Sequence, residues 1–286
     1  MGPALVTRPL RKRVLVWEPG MDHGALKAMY VNRETGTLYP DVCLVSPAGK
    51  PAFQSNTLAL RGPDTDGRPI GVVWGDSTVF GLHEVDRTWP EMLSDHAPGV
   101  LFLNGGIEGS LYVDVLRRAI EFNRRHQVAV NVVVCGYHPV FENKHLASDL
   151  ENAIAEIPNL VLTTLPTSLN PSMIETDISG LIVPNGDPED PFYFWGSAQY
   201  SVRFQKLLFA HILQRNAIIR TVAARSRTPL CDLYAALDSS REQDFRRYFF
   251  DVAHPRHTAY ARIAELVFET VGPVLEARQS SAAQAS

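Results

Sequence analysis

The sequence predicts an α/β fold in which a parallel sheet is covered by helices on both faces, and three observations carry that prediction. From about residue 69 onward, short apolar runs bounded by turn residues alternate with longer stretches of helical periodicity, the pattern of repeated β-α units. The apolar runs are nearly continuous rather than alternating, as in strands buried on both faces. The composition, 45% hydrophobic and 20% charged over 286 residues, supplies enough apolar surface to bury such a sheet between two helical layers.

Residues 1–68 read differently, with short strand-like pieces at 14–18 and 41–45 among Gly, Pro and Asn. They are expected to form an N-terminal extension packed on a main domain of residues 69–276. In that domain strands are expected at 70–74, 100–103, 128–135, 160–164 and 230–233, and helices at 89–94, 111–126, 146–157, 198–225 and 257–275. The helix at 111–126 shows its period most plainly. Leu111, Val115, Leu116, Ala119, Ile120 and Phe122 recur on one face, with Arg117, Arg118, Arg124 and Arg125 opposite. Between the fourth strand and the long helix, residues 166–196 carry five prolines and end on Phe192-Tyr193-Phe194-Trp195. A segment of this length reads either as a lid or binding wall or as a loop pinned by its aromatics, and Trp195 is a candidate substrate contact. Residues 277–286 are small and polar and are expected to form a disordered tail.

Several function classes are excluded at this level. A net charge of −4 leaves no electrostatic footprint for nucleic acid or an anionic membrane; the short basic run Arg8, Arg11, Lys12, Arg13 reads as a solvated arm. No apolar stretch reaches the length of about 18 residues that a membrane span needs, and the apolar run at 14–17 stops at Glu18-Pro19, unlike a signal peptide. The three cysteines, Cys43, Cys135 and Cys231, are odd in number and far apart. They fit thiols in a reducing compartment, so a cytoplasmic protein is expected. The pattern specifies no oligomeric state.

The chemistry concentrates in two places. Gly75-Asp76-Ser77 directly follows the strand expected at 70–74, and the C-terminal ends of strands are where open α/β sheets keep their ligand crevices. Asp251 and His254 stand three residues apart just before the last helix. Together Ser77, His254 and Asp251 have the composition of a nucleophile, a general base and an orienting carboxylate. Ser77 and Asp251 also suit helix N-caps, and Asp76 reads as a structural residue. The nucleophile elbow of the α/β hydrolases needs Gly-x-Ser-x-Gly, whereas Thr78 and Val79 follow Ser77. His83, His138, His145, Asp251 and His254 carry metal-ligand atoms without the spacing of a metal signature; no metal or cofactor is implied.

In their order along the chain these blocks resemble the SGNH (GDSL) hydrolase superfamily over roughly residues 69–276. The resemblance is carried by Gly75-Asp76-Ser77, by Asn104-Gly105-Gly106-Ile107-Glu108-Gly109 in the manner of the family's N-x-G-x-x-G block, and by Asp251-Val252-Ala253-His254-Pro255 in the manner of its D-x-x-H-P block. It implies a flavodoxin-like three-layer α/β/α sandwich. It also implies a serine nucleophile at Ser77 and an oxyanion hole formed by the backbone N–H groups of Ser77 and Gly109. The family's third block is usually Gly-x-Asn-Asp, its asparagine amide completing the hole. Here Gly136-Tyr137-His138-Pro139 stands instead, which gives that role to His138, whose neutral imidazole donates one N–H and can change charge near neutral pH. Glu108 is unexpected in the second block and reads as a solvated loop carboxylate or a candidate substrate contact.

The reading is a serine-dependent hydrolase acting on an ester of a small or medium-sized metabolite. An acyltransferase would use the same residues with an alcohol or amine in place of water. A non-catalytic binding protein on a hydrolase scaffold is the third reading, motivated by His138.

Overall fold

A computed structural model describes residues 12–17, 21–45, 49, 51–81, 87–137, 143–169, 202–237, 248–249 and 253–284. In chain order the elements are β1 (Arg13–Val16), α1 (His23–Tyr30), β2 (Val31–Asn32), β3 (Thr37–Leu38), β4 (Val42–Val45), β5 (Pro51–Gln54), β6 (Ile70–Gly75), α2 (Ser77–Phe80), α3 (Trp89–His96), β7 (Leu101–Gly106), α4 (Tyr112–Asn123), β8 (Val128–Val134), α5 (Leu146–Glu156), β9 (Leu160–Thr163), α6 (Val202–Ser226), β10 (Leu230–Cys231), α7 (Leu233–Ala236) and α8 (His257–Gln284).

Strands β6 to β10 form one sheet in the order β10-β9-β8-β6-β7, with every pairing parallel. Counted from β6, this is the flavodoxin-like order, whose switch point lies between the first and third strands. Here that is the gap between the C-terminal ends of β6 and β8. The sheet is buried on both sides because each strand sends alternate residues into two different cores. Val73, Phe102, Val132, Val134 and Val161 join α3 and α8 on one face. Val72, Trp74, Val133, Leu160 and Leu162 join α4, α5 and the C-terminal half of α6 on the other. The α/β/α sandwich expected from the sequence is therefore the architecture observed.

Two boundaries and one side chain depart from the sequence reading for identifiable reasons. Strand β7 continues through Gly105 and Gly106, which pair with Trp74 and Gly75; glycine carries no apolar signal, so the strand looks shorter in sequence. The last helix runs to Gln284, across residues expected to form a disordered tail. Small polar composition suggested disorder there, but Ala, Arg and Gln are also good helix formers and continue an established helix at little cost. Arg118, placed on the solvent side of α4 by periodicity, is 4% exposed because its guanidinium reaches inward to Gly75 O and Ser110 Oγ.

The N-terminal residues form a small sheet, β1-β4-β5, and the β2-β3 hairpin. β1 runs parallel to β4, and β5 antiparallel to it. Their core of Trp17, Leu26, Tyr30, Val31, Leu38, Val42, Leu44, Ala52 and Phe53 includes Phe80 of α2 and Ile107, the residue after β7. Arg61 exchanges two backbone hydrogen bonds with Asn104, at 2.8 and 3.0 Å, and so covers the outer edge of β7 at that point.

Candidate active site

The site begins where β6 runs out of apolar residues. Asp76 caps the single-turn helix α2, its Oδ1 accepting from Thr78 N at 3.0 Å and Thr78 Oγ1 at 2.8 Å. Its Oδ2 accepts from Tyr137 N at 2.7 Å. The carboxylate thus ties the turn after β6 to the turn after β8 across the switch point. Gly136 turns the chain there at φ +73°, and a Cβ on it would stand 2.9 Å from Asp76 Oδ2. Arg215 on α6 secures the same turn, donating from Nη1 to Gly136 O at 2.6 Å and from Nε to Asn143 Oδ1 at 2.9 Å.

Ser77, the first residue of α2, is largely buried, and its hydroxyl lies 2.8 Å from His254 Nε2. Next to His254, Pro255 forms an antiparallel bridge with Phe249. Arg256 adds to that bridge, its backbone N donating to Tyr248 O at 2.7 Å and its Nε to Phe249 O at 2.9 Å. Phe249 is fully buried. Two groups 177 positions apart in the chain therefore meet at nucleophile–base distance. For His254 to accept the serine proton at Nε2, its Nδ1 must carry the ring hydrogen. Asp251, His138 and Trp195, the other predicted side chains, lie outside the described residues.

Gly109 follows the neighbouring strand β7 in a tight loop. Ile107 N donates to Gly75 O at 3.1 Å and Ser110 N to Ile107 O at 3.3 Å, which docks the loop against the end of β6. Among the described residues the backbone N–H groups of Ser77 and Gly109 have no acceptor, as donors reserved for a ligand would.

Glu108 differs from its sequence reading as a solvated or substrate-facing carboxylate: it is fully buried, and its Oε1 accepts from Tyr30 Oη. The Glu108 carboxylate and burial together push the Tyr30 hydroxyl well above its ordinary value, burial being the larger cause. Lys27 Nζ donates to the Glu108 carbonyl at 2.5 Å. Burial lowers the Lys27 ammonium from its ordinary range; the Glu108 charge opposes that, Arg118 adds to it, and Asp114 opposes it. Arg118 itself is pulled down to about 10, chiefly by burial.

The sequence reading gave no role of their own to several residues that hold the site. Arg61 Nη1 donates to Phe80 O at 2.6 Å and Gly81 O at 3.2 Å, at the C-terminal end of α2; its guanidinium lies 5.1 Å from the Phe80 ring centre. Asn104 Nδ2 donates to Val79 O at 2.7 Å and Thr88 Oγ1 at 3.0 Å, and its Oδ1 accepts from Gly106 N. A buried basic or amide side chain has the same letter as a solvated one, and only the fold separates them. Among the described residues no group of three or more His, Cys, Asp or Glu side chains is arranged to hold a metal ion.

No protein-family model matches the chain, and no curated protein matches it. Solved structures do. A lipase/acylhydrolase from Enterococcus faecalis is 17% identical, with a TM-score of 0.50, covering 73% of this chain and 96% of its own. A member of the lipolytic G-D-S-L family from Veillonella parvula is 16% identical, with a TM-score of 0.50, covering 70% and 96%. An α/β hydrolase from the metagenome of Lake Arreo is 15% identical, with a TM-score of 0.50, covering 73% and 96%. At these identities the likeness is one of fold, and the fold is that of the SGNH (GDSL) hydrolases.

Proposed function

We propose that this chain is a serine-dependent ester hydrolase acting through an acyl-enzyme. The observation that carries the reading is the 2.8 Å approach of Ser77 Oγ to His254 Nε2 at the end of β6; it is supported by the backbone N–H groups of Ser77 and Gly109, which have no acceptor among the described residues. In this reading Ser77 Oγ attacks the ester carbonyl while His254 Nε2 takes its proton. The oxyanion that forms accepts from the N–H groups of Ser77 and Gly109, with the His138 side chain as third donor by resemblance. Collapse breaks the bond to the alcohol, which leaves with the proton from His254. Water then gives a proton to His254 and attacks the acyl-serine, releasing the acid and regenerating Ser77. Asp251 is assigned to hold Nδ1–H and stabilise the imidazolium. No step calls on a metal or cofactor. The substrate we assign is a small or medium-sized metabolite ester, and the compartment the cytoplasm, on three unpaired cysteines.

Intact-mass analysis after treatment with a fluorophosphonate tests the reading. A single adduct on the wild type and none on Ser77→Ala is expected. A correctly folded wild type that takes no adduct would overturn it.

A further inference from the structure

We propose that Lys27 is a positioning residue for this reaction, holding and polarising through its ammonium group the peptide that joins Glu108 to Gly109. The inference rests on the serine-hydrolase reading and adds to it a residue from the N-terminal segment.

Helix α1 is seated by Leu26 and Tyr30, both buried in the cluster that contains Phe80 and Ile107. From that seat it grips Glu108 twice. Lys27 Nζ donates to the Glu108 main-chain oxygen at 2.5 Å, and Tyr30 Oη donates to its carboxylate. Lys27 Nζ also stands 3.6 Å from the position a Cβ on Gly109 would occupy, so the ammonium packs against both residues of that peptide.

The Glu108 C=O and the Gly109 N–H are the two ends of one planar, resonance-coupled unit and, in a trans peptide, point in opposite directions. A cationic donor on the oxygen makes a charge-assisted hydrogen bond. It draws electron density from the nitrogen side, and hydrogen bonds in series strengthen one another in this way. Fixing the oxygen also fixes the plane in which the N–H points. Lys27 therefore acts on the oxyanion donor from behind, without touching substrate. The charged groups facing Lys27 are Glu108, Asp114 and Arg118. Burial, with Arg118 on its side, outweighs the two carboxylates and lowers the ammonium from its ordinary 10.5, so its charge is lost on the alkaline side of neutrality earlier than a free lysine's.

The test is steady-state hydrolysis of p-nitrophenyl butyrate by the full-length wild type, Lys27→Met and Lys27→Arg, with pH profiles on the alkaline side and thermal melts of each. Loss of one oxyanion donor costs about 10²–10³ in rate; weakening one is expected to cost about tenfold in kcat for Lys27→Met, with KM within about twofold. Lys27→Arg, which still donates and stays charged, should recover most of the rate and should lack the alkaline fall of the wild type. Wild-type kcat in Lys27→Met would overturn the proposal, as would equal losses in both variants or an unchanged alkaline fall in Lys27→Arg. If Lys27→Met melts without cooperativity, the rate and profile of Lys27→Arg decide alone. Fluorophosphonate labelling separates the two levels. An unlabelled, inactive wild type overturns the hydrolase reading itself, whereas a labelled, active wild type matched by Lys27→Met overturns only the role of Lys27.

Discussion

Asp76 Oδ2 accepts the backbone N–H of Tyr137 at 2.7 Å, so the residue beside the candidate nucleophile is bonded across the switch point to the turn that leads to His138. The same carboxylate caps α2 through Thr78. One side chain thereby sets the spacing between two loops that arise 61 positions apart. Resemblance to a Gly-Asp-Ser block draws attention to the serine; the aspartate makes the block a piece of architecture.

Asp76→Asn is expected to be costly although it is nearly isosteric. The amide oxygen can still accept from Thr78, but the NH2 group then faces the Tyr137 N–H, donor against donor. A buried group left without its partner costs about 1–3 kcal/mol, which should appear as a lower urea midpoint with an unchanged m-value. Loss of kcat should accompany it, because Ser77 is the next residue. A variant with wild-type stability would mean that the Tyr137 turn is held by other contacts.

Gly106 should tolerate no side chain. A Cβ there would lie 2.9 Å from Phe80 Cα and from the Val79 carbonyl carbon, both backbone, so no rotamer change relieves the contact. Gly106→Ala is expected to destabilise by about 2–3 kcal/mol and to shift α2 and Ser77 away from β7. Gly99→Ala is the matched control, since a Cβ at Gly99 meets nothing within 4 Å. Denaturant melts and esterase rates of the pair check this; equal behaviour of the two variants would refute it.

These residues also show how far the sequence could be read. The strands at β6 and β8 were legible because burial on both faces leaves unbroken apolar runs. The Ser77–His254 meeting was legible only through the order of loose motifs; β6 places the serine, and the Phe249–Pro255 bridge with the Arg256 contacts fixes the chain beside the histidine. Gly105 and Gly106 were not legible as strand, because what places them there is pairing with Trp74 and Gly75, and what excludes a side chain is the close approach of the Trp74 ring and of the Val79 and Phe80 backbone. Lys27, Arg61 and Arg118 were not legible at all as part of the site. Each is a cation that donates to at least one backbone carbonyl from a distant segment, and carbonyls leave no trace in a sequence. The β1-β4-β5 sheet pairs strands out of chain order for the same reason: register is a property of the fold.

The thiols should report the two cores. Cys135 and Cys231 are buried, and burial pushes both up to about 12; Cys231 Sγ also donates to Leu266 O at 3.4 Å. Only Cys43 is partly accessible. Ellman's reagent near pH 8 should therefore titrate one thiol quickly in the native protein and all three of the chain's cysteines in denaturant, because the reagent needs thiolate and access together. A second fast thiol would show that one of the two strand ends opens.

Tyr112 offers a pH test of the contact between α4 and α5. Its hydroxyl donates to Asp149 Oδ2 at 2.9 Å and its ring carries the Arg215 guanidinium at 5.3 Å from the centre. Burial first, then the hydrogen bond and charge of Asp149, push its ionisation up to about 12 from an ordinary 10; Arg215 works in the opposite direction. A folded-state value above the unfolded one means that the neutral phenol stabilises the fold. That contribution is fully present below about 10 and is lost as pH rises through about 12, where both states are ionised. Tyr112→Phe removes the hydrogen bond but cannot ionise. The stability difference between wild type and variant should therefore be flat across neutral pH and should shrink between about 10 and 12. Tyr30, Cys135 and Cys231 titrate high in both proteins and cancel in the difference. Urea unfolding of the pair at stepped alkaline pH measures it directly, and two curves that stay parallel through that window would show that Tyr112 ionises freely and that its bond to Asp149 contributes nothing to the fold.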